Sequence, residues 1–212
     1  MLNKRVHINP ENPDPDLIRL AADKIKAGGI IVFPTWCLYG LAADAFSTEA
    51  IEKVFTIKDR LPDNPLLILI KNRRELHNLV EDIPKTAIMI MDKFWPGRVT
   101  IVFRAKKTIP KQLTAGTGKI GVRLPEHPVA LALLNQLDGP VTGTSANISN
   151  QPGCDNINQM ADAITAQTDL TLDAGKLNGG IGSTIIDVTC NPPVVLRDGE
   201  IPSHDIIKII SQ

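Results

Sequence analysis

Lys58-Asp59-Arg60 sets two cations two positions apart, directly before the turn-rich stretch Leu61-Pro62-Asp63-Asn64-Pro65. Arginine grips phosphate or carboxylate as a planar fork and lysine adds a mobile point charge, so the pair could clamp an anion. The same charges would equally suit a helix C-terminus, where they complement the macrodipole. A second stretch, Val141-Thr142-Gly143-Thr144-Ser145-Ala146-Asn147, runs from a strand into small polar residues. Backbone amides and short hydroxyls can approach phosphate oxygens closely there, and glycine permits backbone shapes that other residues resist. An ordinary polar loop would read the same way. Ser183-Thr184, after Gly179-Gly180-Ile181-Gly182, invites the same two readings; the glycine-lysine-serine/threonine spacing of a Walker P-loop does not occur.

Arg98, Lys119, Arg123 and Arg197 each fall in or beside a predicted loop or strand end. Converging on one crevice they would make an anion site, although periodicity alone does not bring them together and a cation at a strand end is often simply solvated. The histidines, His7, His77, His127 and His204, are scattered without metal-ligand spacing, so no metal site is expected. His127 suits a helix start. Cys37 stands just beyond a strand with no evident histidine partner, which favours a small buried hydrophobe over a nucleophile. Trp36, beside the same strand end, is expected in the core.

Elements to position these residues can be read from pattern. Asp14 caps a first helix, Pro15 fits its first turn, Ile18, Ala21, Ala22 and Ile25 repeat on one face, and Gly28-Gly29 stop it. Ile30 to Phe33, ended by Pro34, reads as a buried strand. Ser47 or Thr48 opens a helix with Ile51, Val54 and Phe55 inward and Lys58 and Arg60 at its C-terminal end. Further strands are expected at Leu66–Ile70, Val99–Phe103, Ile120–Val122, Val141–Thr142, Leu170–Leu172, Thr184–Val188 and Val194–Leu196, with helices near 85–94, 127–136, 156–165 and 203–210. Strands interleaved with helices argue for an α/β or mixed sheet in one layered domain spanning 1–212.

Composition narrows the class. With 212 residues, 43% apolar and 22% charged, the chain can bury a substantial core. Lysine plus arginine equal aspartate plus glutamate at 23 each, so the net charge calls for no large nucleic-acid footprint. The first sixteen residues lack a signal-peptide apolar core, and no apolar run reaches bilayer length, so a cytoplasmic protein with no membrane contact is expected. Cys37, Cys154 and Cys190 have no paired spacing and are expected as reduced thiols.

Taken in order, GGIIVFPTWCLYGLAADA, IKDRLPDNPLLILI, WPGRVTIVF, GKIGVRLPEHPVALALL, GTSANIS, GSTIIDV and VVLRDG resemble the YrdC/YciO-type family over about residues 10 to 200. The resemblance is to the short, single-domain form without the extra C-terminal domain of longer relatives. It implies a twisted mixed α/β sheet flanked by helices and curved around a deep cationic cavity. There L-threonine, bicarbonate and ATP, with magnesium as the implied counter-ion, would become threonylcarbamoyl-AMP and pyrophosphate, a nucleotidyltransferase reaction. The product would pass to a downstream threonylcarbamoyl transferase that modifies an adenosine of tRNA. Carried over by motif, Lys58 and Arg60 are the catalytic anion clamp. Arg60, Asn64, Lys119, Ser145, Asn147, Gly153 and Arg197 face ATP. Arg123 pairs with the amino-acid carboxylate, with Cys37, Leu69, Gly143 and Ser183 nearby.

Two departures stand out. Relatives usually read threonine-acid-threonine where this chain has Thr35-Trp36-Cys37, and long-form relatives commonly place histidine where Leu69 stands. Both changes remove polar partners for a threonine hydroxyl and so bear on amino-acid selectivity. Alternative readings are a divergent YciO-like paralogue, or a module that binds tRNA or double-stranded RNA on the same concave surface without catalysis. Against the RNA reading stand 4% aromatic residues for base stacking and no net positive charge.

Overall fold

The computed structural model describes residues 4–211. The chain opens with β1 (Arg5–His7), α1 (Pro15–Lys26), β2 (Ile31–Pro34), β3 (Tyr39–Ala42) and α2 (Thr48–Lys58). Next come β4 (Ile68–Leu69), α3 (Leu76–Leu79), α4 (Lys85–Phe94), β5 (Val99–Arg104), α5 (Lys111–Thr114), β6 (Lys119–Arg123) and α6 (Pro128–Asn135). It finishes with β7 (Val141–Thr142), β8 (Thr144–Ser145), α7 (Asp162–Gln167), β9 (Leu170–Asp173), β10 (Thr184–Asp187), β11 (Val194–Arg197) and α8 (Ser203–Ile210).

The mixed sheet is divided in two, one part ordered β1-β9-β2-β3-β8 and the other β11-β10-β5-β6-β4-β7. Each combines parallel and antiparallel pairs: β2 runs parallel to β9 and antiparallel to β3, and β5 runs parallel to β10 and antiparallel to β6. The chain crosses from one sheet to the other at Gly143, between β7 and β8. A Cβ there would fall 2.5 Å from Leu67 Cδ1 and 2.7 Å from Leu69 Cγ, so only glycine lets the crossing pass this close to β4. The second sheet is bound back to the first by the Thr142 amide, which donates to the Ala43 carbonyl at 2.9 Å.

Helix α1 forms where local signals agree. Asp14 Oδ1 accepts from the Asp16 amide at 2.8 Å, Pro15 opens the first turn, and Ile18, Ala21, Ala22 and Ile25 are buried. They share an apolar cluster with Val129, Ala130, Leu133 and Leu134 of α6 and with Ile31 and Phe33 of β2. Burying each large aliphatic side chain contributes about 1.5–3 kcal/mol. A larger cluster, including Ile51, Val54, Ile68, Ile101 and Ile186, fills the space around α2 and the second sheet.

Three details differ from the sequence pattern. Phe55 is only partly buried, and Ile57 takes the inward position on α2 beside Ile51 and Val54. The helix expected over 156–165 is a 3₁₀ turn, Ile157–Gln159, followed by α7, because Met160 and Ala161 are extended and break the hydrogen-bond ladder. The strand expected over Leu66–Ile70 narrows to β4, since the Leu66 amide pairs with the Leu113 carbonyl instead of a neighbouring strand. Among the described residues no helix is long and apolar enough to cross a membrane.

Candidate active site

A cavity of about 930 Å³ opens where the two sheets meet. Its walls carry six cations, Lys58, Arg60, Arg98, Lys119, Arg123 and Arg197, against three carboxylates, Glu126, Asp187 and Glu200. Residues that sequence spacing left apart are therefore gathered in one positively charged hollow.

Lys58 is the last residue of α2, and Asp59, in the left-handed region at φ 47°, turns the chain away behind it. Its side chain is buried, and Nζ donates to the carbonyls of Ser145 (2.5 Å) and Asn147 (2.7 Å). Those carbonyls belong to β8 and the polar loop after it, so the lysine ties α2 to that loop. Burial, with Arg60 nearby, lowers its pKa to about 7. Arg60 curls over its own turn: Nε donates to the Asn64 carbonyl at 3.1 Å and Nη2 to the Pro65 carbonyl at 2.7 Å. Ser145 Oγ donates to Asn147 Oδ1, and Asn147 Nδ2 donates to the Ile148 and Gln151 carbonyls at 2.8 and 2.7 Å. Gly153 completes this side, where a Cβ would fall 2.4 Å from Leu38 Cδ1.

On the facing wall, Arg197 donates to the Ser183 carbonyl through Nε (3.1 Å) and Nη2 (2.7 Å), and Ser183 Oγ lies 2.8 Å from Thr100 Oγ1. Burial lowers the pKa of Arg60 and of Arg197 alike. Lys119 Nζ pairs with Asp187 Oδ2 at 2.8 Å, and Arg98 Nε with Glu126 Oε1 at 2.8 Å. Arg123, at the end of β6, lies deep in the molecule yet keeps some accessible surface because the cavity reaches it. Its Nε has no hydrogen-bond partner, and burial lowers its pKa to about 10. Leu69, buried on β4 in register with Arg123, and Gly143 line the cavity beside it.

Cys37 is buried and its thiol pKa is raised, first by burial and then by the Glu200 carboxylate. All three cysteines are free thiols. His127 caps α6, its Nδ1 accepting from the Val129 amide at 3.2 Å, and burial lowers its pKa to about 4. The ring is thus neutral at physiological pH, with the proton on Nε2.

Of the residues singled out by sequence, Lys58, Arg60, Lys119, Ser145, Asn147, Gly153, Arg197, Cys37, Leu69, Arg123, Gly143 and Ser183 all line this cavity. Asn64 does not; it is exposed, and its contribution is the backbone carbonyl that holds Arg60. Trp36, expected in the core, is 40% exposed and stands at the cavity edge with the Arg98 guanidinium 4.3 Å over its ring. The reason is local: Thr35 Oγ1 and its amide both bond the Leu38 carbonyl, closing a tight turn that throws Trp36 outward. Sequence reasoning missed Glu126, Asp187, His127 and Glu200 as cavity groups. The Arg-Asp-Gly-Glu run after β11 was a usable signal for Glu200; the other three give none without the fold.

Comparison with known proteins follows the same residues. Residues 23–199 match the Sua5/YciO/YrdC family model, described as "Telomere recombination". The threonylcarbamoyl-AMP synthase of Pyrococcus abyssi is 37% identical over 195 residues, covering 92% of this chain and 57% of that protein. The crystal structure of P. abyssi Sua5 complexed with L-threonine superposes with a TM-score of 0.93 at 35% identity, over 98% of this chain and 61% of the other. Escherichia coli YciO superposes with a TM-score of 0.86 at 28% identity, over 94% and 97% of the two chains. The chain thus spans little more than half the length of the archaeal synthase. Sharing with these proteins both a sequence pattern across residues 23–199 and the fold that carries it, the chain belongs to the Sua5/YciO/YrdC family.

Proposed function

We propose that the chain, acting as a single domain, is a nucleotidyltransferase that makes threonylcarbamoyl-AMP from L-threonine, bicarbonate and ATP, releasing pyrophosphate. The observation that carries this reading is the set of cations lining one cavity without a carboxylate partner among the described residues: Lys58, Arg60 and Arg197 held by backbone carbonyls, and Arg123 without a partner at Nε. The names of the archaeal relative and of its complex with L-threonine support it. The product would serve threonylcarbamoyladenosine formation in tRNA through a downstream transferase in the cytoplasm.

The chemistry asks for charge control rather than a covalent intermediate. A carbamate, formed on the threonine amine from bicarbonate, must attack the α-phosphorus of ATP, bringing one anion onto another. Fixed cations lower that repulsion and neutralise charge developing on the leaving pyrophosphate. Lys58 and Arg60 fill the catalytic role, with Lys119, Ser145, Asn147, Gly153 and Arg197 along the nucleotide. Burial holds the Lys58 pKa down to about 7, and a phosphate anion beside it would favour the charged form. Asn64 acts through Arg60. Arg123 receives the threonine carboxylate, with Ser183, Gly143, Cys37 and Leu69 around the rest of the amino acid. Among the described residues no three His, Cys, Asp or Glu side chains converge as a metal cage. Magnesium would serve as a counter-ion, helping to neutralise the charge of the nucleotide.

The test is ATP-dependent pyrophosphate release with bicarbonate and each of the twenty amino acids in turn. Release with L-threonine alone is expected. Release with another amino acid, or with none while ATP still binds, overturns the reaction assigned here.

A further inference from the structure

Of the three carboxylates in the cavity, Glu126 is held by Arg98 and Asp187 by Lys119, each at 2.8 Å. Glu200 forms no ion pair among the described residues. Its Oε1 accepts from the Ile181 amide at 2.9 Å, and its charge helps raise the pKa of the nearby Cys37 thiol. The backbone makes room for it: Gly180 sits at φ +130°, and a Cβ there would fall 2.1 Å from Glu200 Oε1 and 3.5 Å from Cys37 Sγ. The glycine loop is thus shaped to bring this carboxylate to the cavity wall beside Cys37.

Arg123 is its counterpart. It is the cation whose buried Nε lacks any partner, and it lines the same cavity as Cys37 and Glu200. A carboxylate with no ion pair and a guanidinium whose Nε has no partner therefore line the same cavity as this thiol. Glu200 has further acceptor capacity and Arg123 has donors to spare, and a ligand carrying both an anionic group and an N–H or O–H donor would use both together. An α-amino acid has that pattern. Glu126 and Asp187, the other carboxylates of the cavity, are already engaged by Arg98 and Lys119, while Leu69 offers no acceptor and a thiol is a weak one.

We infer that Glu200 is a specificity-determining residue of the amino-acid pocket, accepting a hydrogen bond from the ammonium or hydroxyl of an amino acid whose carboxylate is held by Arg123. This rests on the reading of the cavity as an amino-acid site given above. It also assigns to this chain a strong acceptor where Cys37 and Leu69 supply little.

Glu200→Gln tests it, because glutamine keeps the volume and an oxygen for the Ile181 amide while removing the charge. Calorimetric titration of wild-type and variant protein with L-threonine, L-2-aminobutyrate and ATP is the measurement. The Kd for L-threonine is expected to rise by about tenfold or more, as for loss of a charge-assisted bond, with the Kd for ATP unchanged. An equal rise for L-2-aminobutyrate assigns the bond to the ammonium; a rise confined to L-threonine assigns it to the hydroxyl. Unchanged L-threonine affinity in a variant that melts like wild type overturns the inference. So does equal weakening of ATP, which would mark Glu200 as a loop support, or failure of wild-type protein to bind L-threonine. Wild-type protein that binds L-threonine but releases no pyrophosphate overturns the proposed reaction instead, since the calorimetric comparison needs no turnover.

Discussion

Lys58, Arg60 and Arg197 are anchored by backbone carbonyl oxygens, whereas Arg98 and Lys119, in the same cavity, are anchored by carboxylates. A carbonyl fixes the direction of a cation without cancelling its charge, and a carboxylate does both. No carboxylate among the described residues thus cancels the charge that the first group offers an incoming anion. The second contributes shape, and in Arg98 a stacked edge on Trp36, with much of its charge already answered. Two cations equally close to a ligand can for this reason differ widely in what they contribute to it.

The largest effect expected from this difference is at Lys58. Lys58→Ala should lower ATP-dependent pyrophosphate release by about 10³-fold, roughly 4 kcal/mol of transition-state stabilisation, while circular dichroism shows the fold retained. Near-normal turnover would remove the carbonyl-held cations from catalysis.

His127 sharpens the comparison as a cavity group kept uncharged by burial. Its pKa is about 4 in the fold against an ordinary value of 6.5, so the unfolded chain takes up the proton first as pH falls. Stability present above pH 6.5 should decline by about 2 kcal/mol between pH 7 and 5. His127→Asn, which can still cap α6, should flatten that decline in denaturant titrations at the two pH values. An unchanged slope would mean the ring is not the group that titrates.

Arg123→Lys keeps the charge but loses the planar fork. It should raise KM for the amino acid about tenfold and leave KM for ATP alone. A shift in both would merge the two ends of the cavity into one anion site. Smallest of all, Lys119→Ala, which removes a cation already paired with Asp187, should cost less than about fivefold in turnover. A loss as large as that of Lys58→Ala would show that the anchoring partner does not matter.

Local signals carried much of the fold. Asp14, Pro15 and the Ile18–Ala22–Ile25 face determine α1 because a cap and a 3.6-residue period act over neighbouring residues alone. Similarly, α4 and α8 fall where their patterns place them. Strand β3 was not legible, because Tyr39-Gly40-Leu41-Ala42 has no alternation: it is buried on both faces between β2 and β8. Trp36 misled for a related reason, since its exposure is decided by the turn that Thr35 closes on Leu38.

The ordered motifs, read as a resemblance, named Lys58, Arg60, Lys119, Arg123 and Arg197, five of the six cations that line the cavity. How those residues are charged and held was decided by the tertiary structure. Lys58 meets its carbonyls 87 and 89 positions along the chain, and Arg197 is bound to Ser183 fourteen positions before it. Glu200 comes to Cys37 only because the loop carrying Gly180 folds between them. Helix periodicity and capping are short-range and survive in a one-dimensional string. Burial and the choice between a carbonyl and a carboxylate partner depend on which distant segments the sheets bring together, and that choice sets the charge of the site.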